Sequence, residues 1–214
     1  RKTWKKVIEL LTADTPNGKK ISIMLEEINF NYKVTKINIY KDEQFKPEFK
    51  KISPFGKIPV IIDHETKTSL FESGAILIYL GEKSGMFYDK DQRTNINQWL
   101  MGQMGYVGPM LGQHHQFHHY NPGKSEFGEN RYFKISKAIY NDLDLRLSQS
   151  KFLAGEEYSI ADIATWPWIA RHDWHDIGLK NYKNLTRWYN DIAGRAAVIK
   201  GYDFMNKGEK IPSA

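Results

Sequence analysis

Two short stretches bring together side chains able to hold a small polar ligand. In Leu70-Phe71-Glu72-Ser73-Gly74-Ala75 a polar pair stands where a strand-like segment gives way to a helical one. A helix N-terminus offers free backbone N–H groups and partial positive charge, so a carboxylate fits there. Ser73 can cap the helix, or its hydroxyl can join those N–H groups around an anion. Glu72 beside it can accept hydrogen bonds from an ammonium group. A plain capped helix and a ligand site both fit this pair. The second stretch is Thr15-Pro16-Asn17-Gly18. Thr15 and Pro16 read as the N-cap and first residue of another helix, and Gly18 lets a ligand approach the backbone closely.

The chain contains no cysteine. Disulfides, thiolate metal sites and a protein thiol nucleophile are therefore excluded, and any thiol chemistry must come from a bound ligand. His114 with His118, and His115 with His119, have helical i, i+4 spacing that can hold zinc. No carboxylate is spaced to complete an HExxH-type site, so no metal is expected. This His-rich helix end is expected at the mouth of a ligand cleft, without a catalytic role.

The elements that position these residues follow from pattern. Lys6 to Leu11 reads as a strand, Thr15 to about Asn29 as a helix burying Ile21, Met24, Leu25 and Ile28, and Tyr32 to Tyr40 as a second strand. Lys41 to Gly56 is a variable segment rich in turn residues. Val60 to Ile62 follows a proline as a buried strand, Thr68 to Phe71 pairs with it, and the next helix shows an apolar stripe of Ala75, Ile76, Tyr79 and Leu80. The polar stretch Gly81 to Gln92 reads as a linker. Beyond it the pattern is helical: about Thr94 to His119, Glu126 to Ser148, Ser159 to about His172, and Leu185 to Gly194, then an extended tail from Tyr202. Ser159-Ile160-Ala161-Asp162 has the spacing of a capping box.

Composition narrows the function classes. The 214 residues, 41% hydrophobic and 14% aromatic, suit a globular protein with ample core. No apolar run approaches the ~20 residues of a membrane span, and Val7 to Leu11 after the basic Arg1-Lys2-Thr3-Trp4-Lys5-Lys6 is too short for a signal peptide. The expectation is a soluble chain without membrane attachment. Net charge is +6, but the lysines are scattered among acids with no basic block. An anionic substrate explains this balance better than nucleic acid.

Taken together, "TPNGKKISIMLEE" (15–27), "ISPFGKIPVIID" (52–63), "LFESGAILIYL" (70–80), "GPMLGQHHQF" (108–117) and "YSIADIATWPW" (158–168) resemble the nu-class glutathione transferases, glutathione-dependent disulfide-bond oxidoreductases of bacteria and fungi. The resemblance extends over nearly the whole chain. It implies an α/β thioredoxin-like domain over residues 1–84 and an all-α domain over 93–214. It also implies a cis bond at Ile58–Pro59, where the residues alone suggest only turn prolines. By the same resemblance Thr15 and Asn17 lie next to a ligand thiol, and Gln44 and Lys57 contact the peptide ligand. Ile58 pairs its backbone with the cysteinyl part of glutathione, and Glu72 with Ser73 binds the γ-glutamyl group. Arg131 takes the place of an arginine that reaches the ligand across a dimer interface; its plain reading is a surface arginine. Asp162 belongs to a structural cap, and Phe55-Gly56 stands where a polar pair is expected.

A thiol with a pKa of about 8.5 must lose its proton to attack. An Asn amide, a Thr hydroxyl and a helix N-terminus can all stabilise the thiolate. The implied protein is a cytoplasmic homodimer that binds one or two glutathiones, or oxidised glutathione, and reduces a small disulfide. Two rivals stand beside it: a conventional conjugating transferase or peroxidase, and a non-catalytic interaction protein that keeps the fold. The complete set Thr15/Asn17, Ile58 and Glu72/Ser73 counts against the second.

Overall fold

A computed structural model describes residues 7–214. The basic Arg1–Lys6 stretch, including the first residue of the expected opening strand, lies outside the described residues. The chain folds as two compact units. The first runs to Met86 and takes in 196–210, and the second spans 87–195 with 211–214.

The first unit begins β1 (Ile8–Thr12), α1 (Pro16–Glu27) and β2 (Tyr32–Lys36). Two short 3-10 turns, Ile39–Lys41 and Glu43–Phe45, and a one-turn α2 (Pro47–Lys50) fill the variable segment. Then come β3 (Val60–Asp63), β4 (Thr68–Phe71) and α3 (Ser73–Ser84). The strands form one sheet in the order β2-β1-β3-β4, with β1 parallel to β2 and antiparallel to β3. The element order, β-α-β then β-β-α, is the thioredoxin-like one expected. On the sheet Leu11 and Val60 pack with Phe49, and Ile37, Ile52, Ile58 and Ile62 close over them.

In α3 the buried stripe is Ile76, Leu77 and Leu80, while Ala75 is exposed and Tyr79 half-buried. The stripe is therefore rotated from the expected one. Tyr79 faces outward because its hydroxyl donates to Asp63 (2.6 Å).

The second unit holds α4 (Arg93–Gly102), α5 (Gly108–His114), α6 (Glu126–Leu147), α7 (Ile160–Ile169), α8 (His172–His175) and α9 (Lys183–Ala193). The single helix expected from Thr94 to His119 is interrupted by wide π turns at Gln103–Val107 and His115–Tyr120. Pro109 lacks an N–H and crowds the preceding turn, which favours the first widening. The capping box forms at the start of α7: Ser159 Oγ accepts from the backbone and Asp162 accepts from Ser159 N (3.0 Å). Asp162 also accepts from Leu153 N and Trp188 Nε1, so it ties three segments together deep in the unit. Its role is structural.

One element escaped the pattern. Residues Ala196–Tyr202 form a helix, α10, before the tail, and it packs on α1 in the first unit. At Gly201 a Cβ would lie 2.6 Å from Ile23 Cα, so only glycine allows this approach. Ser22 Oγ locks the contact by donating to Gly201 O (2.6 Å). Covered by α3 on one flank and α10 on another, α1 buries Gly18 to Leu25 without a break.

Candidate active site

Strand register brings three loops to one end of the sheet. Leu11 pairs with Val60, and Val60 with Phe71. The end of β1, the start of β3 and the end of β4 therefore coincide. The Thr15–Gly18 turn, the Ser53–Pro59 segment and the Glu72–Ser73 pair all spring from that edge.

Thr15 is the N-cap of α1, extended at φ −139°, and its Oγ1 accepts from Gly18 N (3.1 Å). Pro16 follows at the first helical position, as the sequence predicts. A Cβ at Gly18 would sit 2.5 Å from Ala13 O and 2.6 Å from Thr12 Oγ1, so the turn is as tight as its glycine allows. Asn17 is half-buried at the second helical position. Ala13 and Asp14, just before this turn, also line a cleft of about 600 Å³ shared with Asn38, Tyr40 and Lys207.

The Ile58–Pro59 bond is cis. Ser53 holds the loop before it, its Oγ donating to Lys57 O (2.7 Å) and accepting from Lys57 N (3.0 Å). Lys57 is exposed, and Ile58 is half-buried against the sheet. Gln44 is buried, its amide nitrogen 3.4 Å from Ile39 O. Phe55 is 69% exposed and meets Phe71 edge to face at 6.4 Å. Where a polar pair was expected, this loop presents an aromatic surface.

Ser73 departs from the capping role open to it. The N-cap of α3 is Glu72, with no side-chain cap bond, and Ser73 is the first helical residue. Glu72 is exposed at φ +69°, ψ 113°, a region that costs a non-glycine residue about 1–3 kcal/mol. The buried Ser73 Oγ accepts from Lys20 Nζ at 3.1 Å. Lys20 is 1% exposed, and burial pulls its ammonium down to about 7, opposed by the charge of Glu72. Sequence reasoning missed Lys20, which looks like one more lysine on the polar side of α1. Lys20 meets Ser73 on α3, which packs against α1. Its neighbour Lys19 is also buried, but two carboxylates answer its charge: Asp14 at 3.0 Å and Glu209 at 2.6 Å. Tyr202 adds its carbonyl at 2.6 Å and its ring at 3.8 Å.

In the second unit Arg131 is exposed on α6, its guanidinium 5.9 Å from the Tyr132 ring. The histidines correct an expectation, because His114 and His115 do not line a cleft mouth. Both are buried. His114 Nε2 donates to His175 O (2.8 Å), and His115 Nε2 lies 2.7 Å from His175 Nε2. Tyr140 Oη hydrogen-bonds His175 Nδ1, so both ring nitrogens of His175 are engaged, one by Tyr140 and the other by His115. Desolvation drives His115 down to about 3 and His175 well below the usual imidazole range. Of the outer pair, His119 stacks on Trp174 at 4.1 Å. Among the described residues no group of three or more His, Asp or Glu side chains is placed to hold a metal ion. Nor is any helix there long and apolar enough to cross a membrane.

Comparison with known proteins fits this geometry. The glutathione S-transferase N-terminal domain matches residues 7–82, and the C-terminal domain matches residues 124–196. The chain belongs to the glutathione transferase family. It is 44% identical over 199 residues to disulfide-bond oxidoreductase YfcG of Escherichia coli, covering 90% of this chain and 93% of that protein. Disulfide-bond oxidoreductase YghU of the same organism is 37% identical, covering 91% of this chain and 73% of that protein. Among solved structures, a Burkholderia graminis glutathione transferase with two glutathione molecules bound per subunit superposes with TM-score 0.88. It is 36% identical, with 95% of this chain and 90% of that one covered. A Pseudomonas putida glutathione transferase with one glutathione disulfide per subunit gives TM-score 0.86 at 40% identity, covering 94% and 93%. The family expected from the motifs is thus the family found.

Proposed function

We propose that this glutathione transferase is a glutathione-dependent disulfide-bond reductase whose reacting sulfurs all belong to its ligands. The observation that carries this reading is the meeting of the Thr15–Asn17 turn, Ile58 and Glu72–Ser73 at one sheet edge, in a chain without cysteine. Glu72 accepts the γ-glutamyl ammonium, while Ser73 and the first N–H groups of α3 take its carboxylate. Ile58 pairs with the cysteinyl backbone, and Gln44 and Lys57 contact the rest of the tripeptide. The thiol then lies at the start of α1. There the Thr15 hydroxyl, the Asn17 amide and the helix N-terminus stabilise its anion.

Chemistry proceeds by thiol–disulfide exchange. The glutathione thiolate attacks one sulfur of the substrate, forming a mixed disulfide and releasing the other half as a thiolate, which solvent protonates. A second glutathione thiolate attacks the glutathionyl sulfur of the mixed disulfide. Oxidised glutathione leaves, and so does the remaining half of the substrate as a thiol. The cleft beside Ala13 and Asp14 offers room for the substrate beyond the first glutathione. In a homodimer, Arg131 of the second copy supplies a cation to the ligand, and the exposed Phe55 and Phe71 give the first unit an apolar surface for such pairing.

Steady-state assays with hydroxyethyl disulfide and with a chloronitrobenzene, both with glutathione, test the reading. The expected result is disulfide turnover exceeding conjugation, with mass spectrometry showing no glutathione adduct on the protein. Conjugation without disulfide reduction would overturn it in favour of a conventional transferase. Failure to be retained on immobilised glutathione would point to a non-catalytic relative.

A further inference from the structure

Residues 196–210 belong to the first unit, and their far end returns to the start of α1. One ammonium gathers the two segments there. Lys19 Nζ donates to the Tyr202 carbonyl and to Glu209, each at 2.6 Å, and pairs with Asp14 at 3.0 Å. We propose that Lys19 and Glu209 form a clamp that positions the Thr15–Asn17 turn, holding it and the adjoining cleft wall in the geometry that disulfide reduction needs. This rests on the assignment of the ligand thiol to that turn. Lys19 acts through Asp14, so it is a positioning residue.

The first support is where the clamp closes. Asp14 immediately precedes Thr15, the N-cap of α1, and Lys19 N donates to Thr15 O at 2.9 Å. The main chain of Lys19 thus holds Thr15 while its side chain holds Asp14. There is little slack between them. A Cβ at Gly18 would sit 2.5 Å from Ala13 O, so a shift of Asp14 displaces the turn with it. Second, the tail is shaped to present Glu209. Asp203 accepts from Lys207 N at 2.8 Å and from Gly208 N at 3.0 Å, and Asn206 and Gly208 take positive φ, 53° and 75°. This bend turns Glu209 back to Lys19 and leaves Met205 and Lys207 in the wall of the cleft that Ala13 and Asp14 also line. The Lys19 contacts therefore fix two sides of that cleft. Lys207 adds a longer ion pair to Asp14, at 3.6 Å. Third, the chemistry of the clamp favours placement over stability. The Lys19 side chain is fully buried, and desolvating an ammonium roughly cancels its attraction to carboxylates. An apolar side chain of similar volume would hold the fold about as well, but it lacks direction. The ammonium must meet oxygens 183 and 190 positions away in the chain, and hydrogen bonds of this kind tolerate little misalignment.

Loosening the clamp should cost rate and leave glutathione binding largely intact, because the γ-glutamyl end is assigned to Glu72–Ser73 on a different loop. The test compares wild type, Lys19→Met, Glu209→Ala and Glu209→Gln, with Thr15→Ala as the control. Three quantities are read: kcat and KM for hydroxyethyl disulfide reduction, glutathione affinity by calorimetry, and the pH midpoint of the bound thiolate's absorbance. Chemical denaturation gives the folded fraction. Glu209→Ala covers the case in which Lys19→Met folds poorly, because the Glu209 side chain is 24% exposed and Lys19 keeps Asp14 and the Tyr202 carbonyl. In Lys19→Met and Glu209→Ala, kcat/KM per folded molecule should fall about tenfold and the thiolate midpoint should move to higher pH, with glutathione affinity within about threefold. Glu209→Gln keeps an oxygen that accepts from Lys19, so it should recover most of both losses. If Thr15→Ala shifts rate and midpoint while the clamp variants change only stability or only glutathione affinity, the clamp is overturned and the turn's assignment stands. If Thr15→Ala shifts neither, the assignment of the thiol to this turn falls, and the clamp with it.

Discussion

Buried titratable groups occur in both units, and they are handled in opposite ways. In the second unit, His115, His175 and Tyr140 form a closed chain in which each group meets another of the chain. Burial keeps both imidazoles neutral, so the network holds helices together without burying a charge. In the first unit, Lys20 is buried with its ammonium 3.1 Å from the Ser73 hydroxyl, at the first turn of a helix whose cap residue is strained. Closed, neutral networks build the interior. In the first unit a buried cation instead stands beside Ser73, a residue proposed to hold the ligand. The conspicuous His114–His115 pair is thus structural, and the inconspicuous lysine lies beside the proposed site.

The largest effect should come from breaking the closed network. His175→Ala leaves a cavity and strands the Tyr140 hydroxyl and a His115 nitrogen, so chemical denaturation should show a loss of about 3–5 kcal/mol. Affinity for glutathione should stay within about twofold in whatever fraction remains folded. The pH dependence follows from the depressed imidazoles. Their contribution is complete above the unfolded value of 6.5 and is lost as pH falls toward the folded value of His115, about 3. Wild-type stability should therefore decline below pH 6.5, and His175→Ala should flatten part of that decline. A variant as stable as wild type would show that the network carries no weight.

Lys20 should behave in the reverse sense. Its folded value near 7 lies below the unfolded 10.5, so its contribution is present above pH 10.5 and lost as pH falls through 7. Lys20→Met should thus be more stable than wild type at pH 7, by up to a few kcal/mol, and the gap should close toward pH 10. Denaturation at several pH values checks this. A variant that is less stable at every pH would set Lys20 beside Lys19, whose charge is answered by carboxylates.

Much of this contrast is local, and what is local could be read from the chain. Thr15 as N-cap, Pro16 after it, the β3–β4 hairpin and the capping box at Ser159–Asp162 each depend on residues a few positions apart. Lys20 depends on pairing across 53 positions, with Ser73, and α10 on pairing across 179, as the Ser22–Gly201 contact shows. Ala196–Tyr202 is too short for a helical period to declare itself, yet this element hides the polar side of α1. Ser73 reads as a cap for a related reason. The helix starts one residue earlier than a Ser73 cap would place it, because Glu72 takes the positive φ that turns the chain. The histidines mislead in the other direction: their i, i+4 spacing is real, but His175, some 60 residues on, claims two of them.

The central claim is that a turn without cysteine activates a ligand's thiol, and its most direct test is thiolate absorbance against pH. Glutathione bound to wild type, Thr15→Ala and Asn17→Ala would be titrated in parallel with kcat/KM for disulfide reduction. A hydrogen bond to a charged group is worth about 1.5–3 kcal/mol, so Asn17→Ala should lower kcat/KM roughly ten- to a hundredfold and shift the thiolate midpoint to higher pH. Thr15→Ala should do the same and also lose about 1 kcal/mol of stability, since Thr15 Oγ1 caps α1. Three coincident titration curves with unchanged rates would contradict the claim and remove this turn from the chemistry.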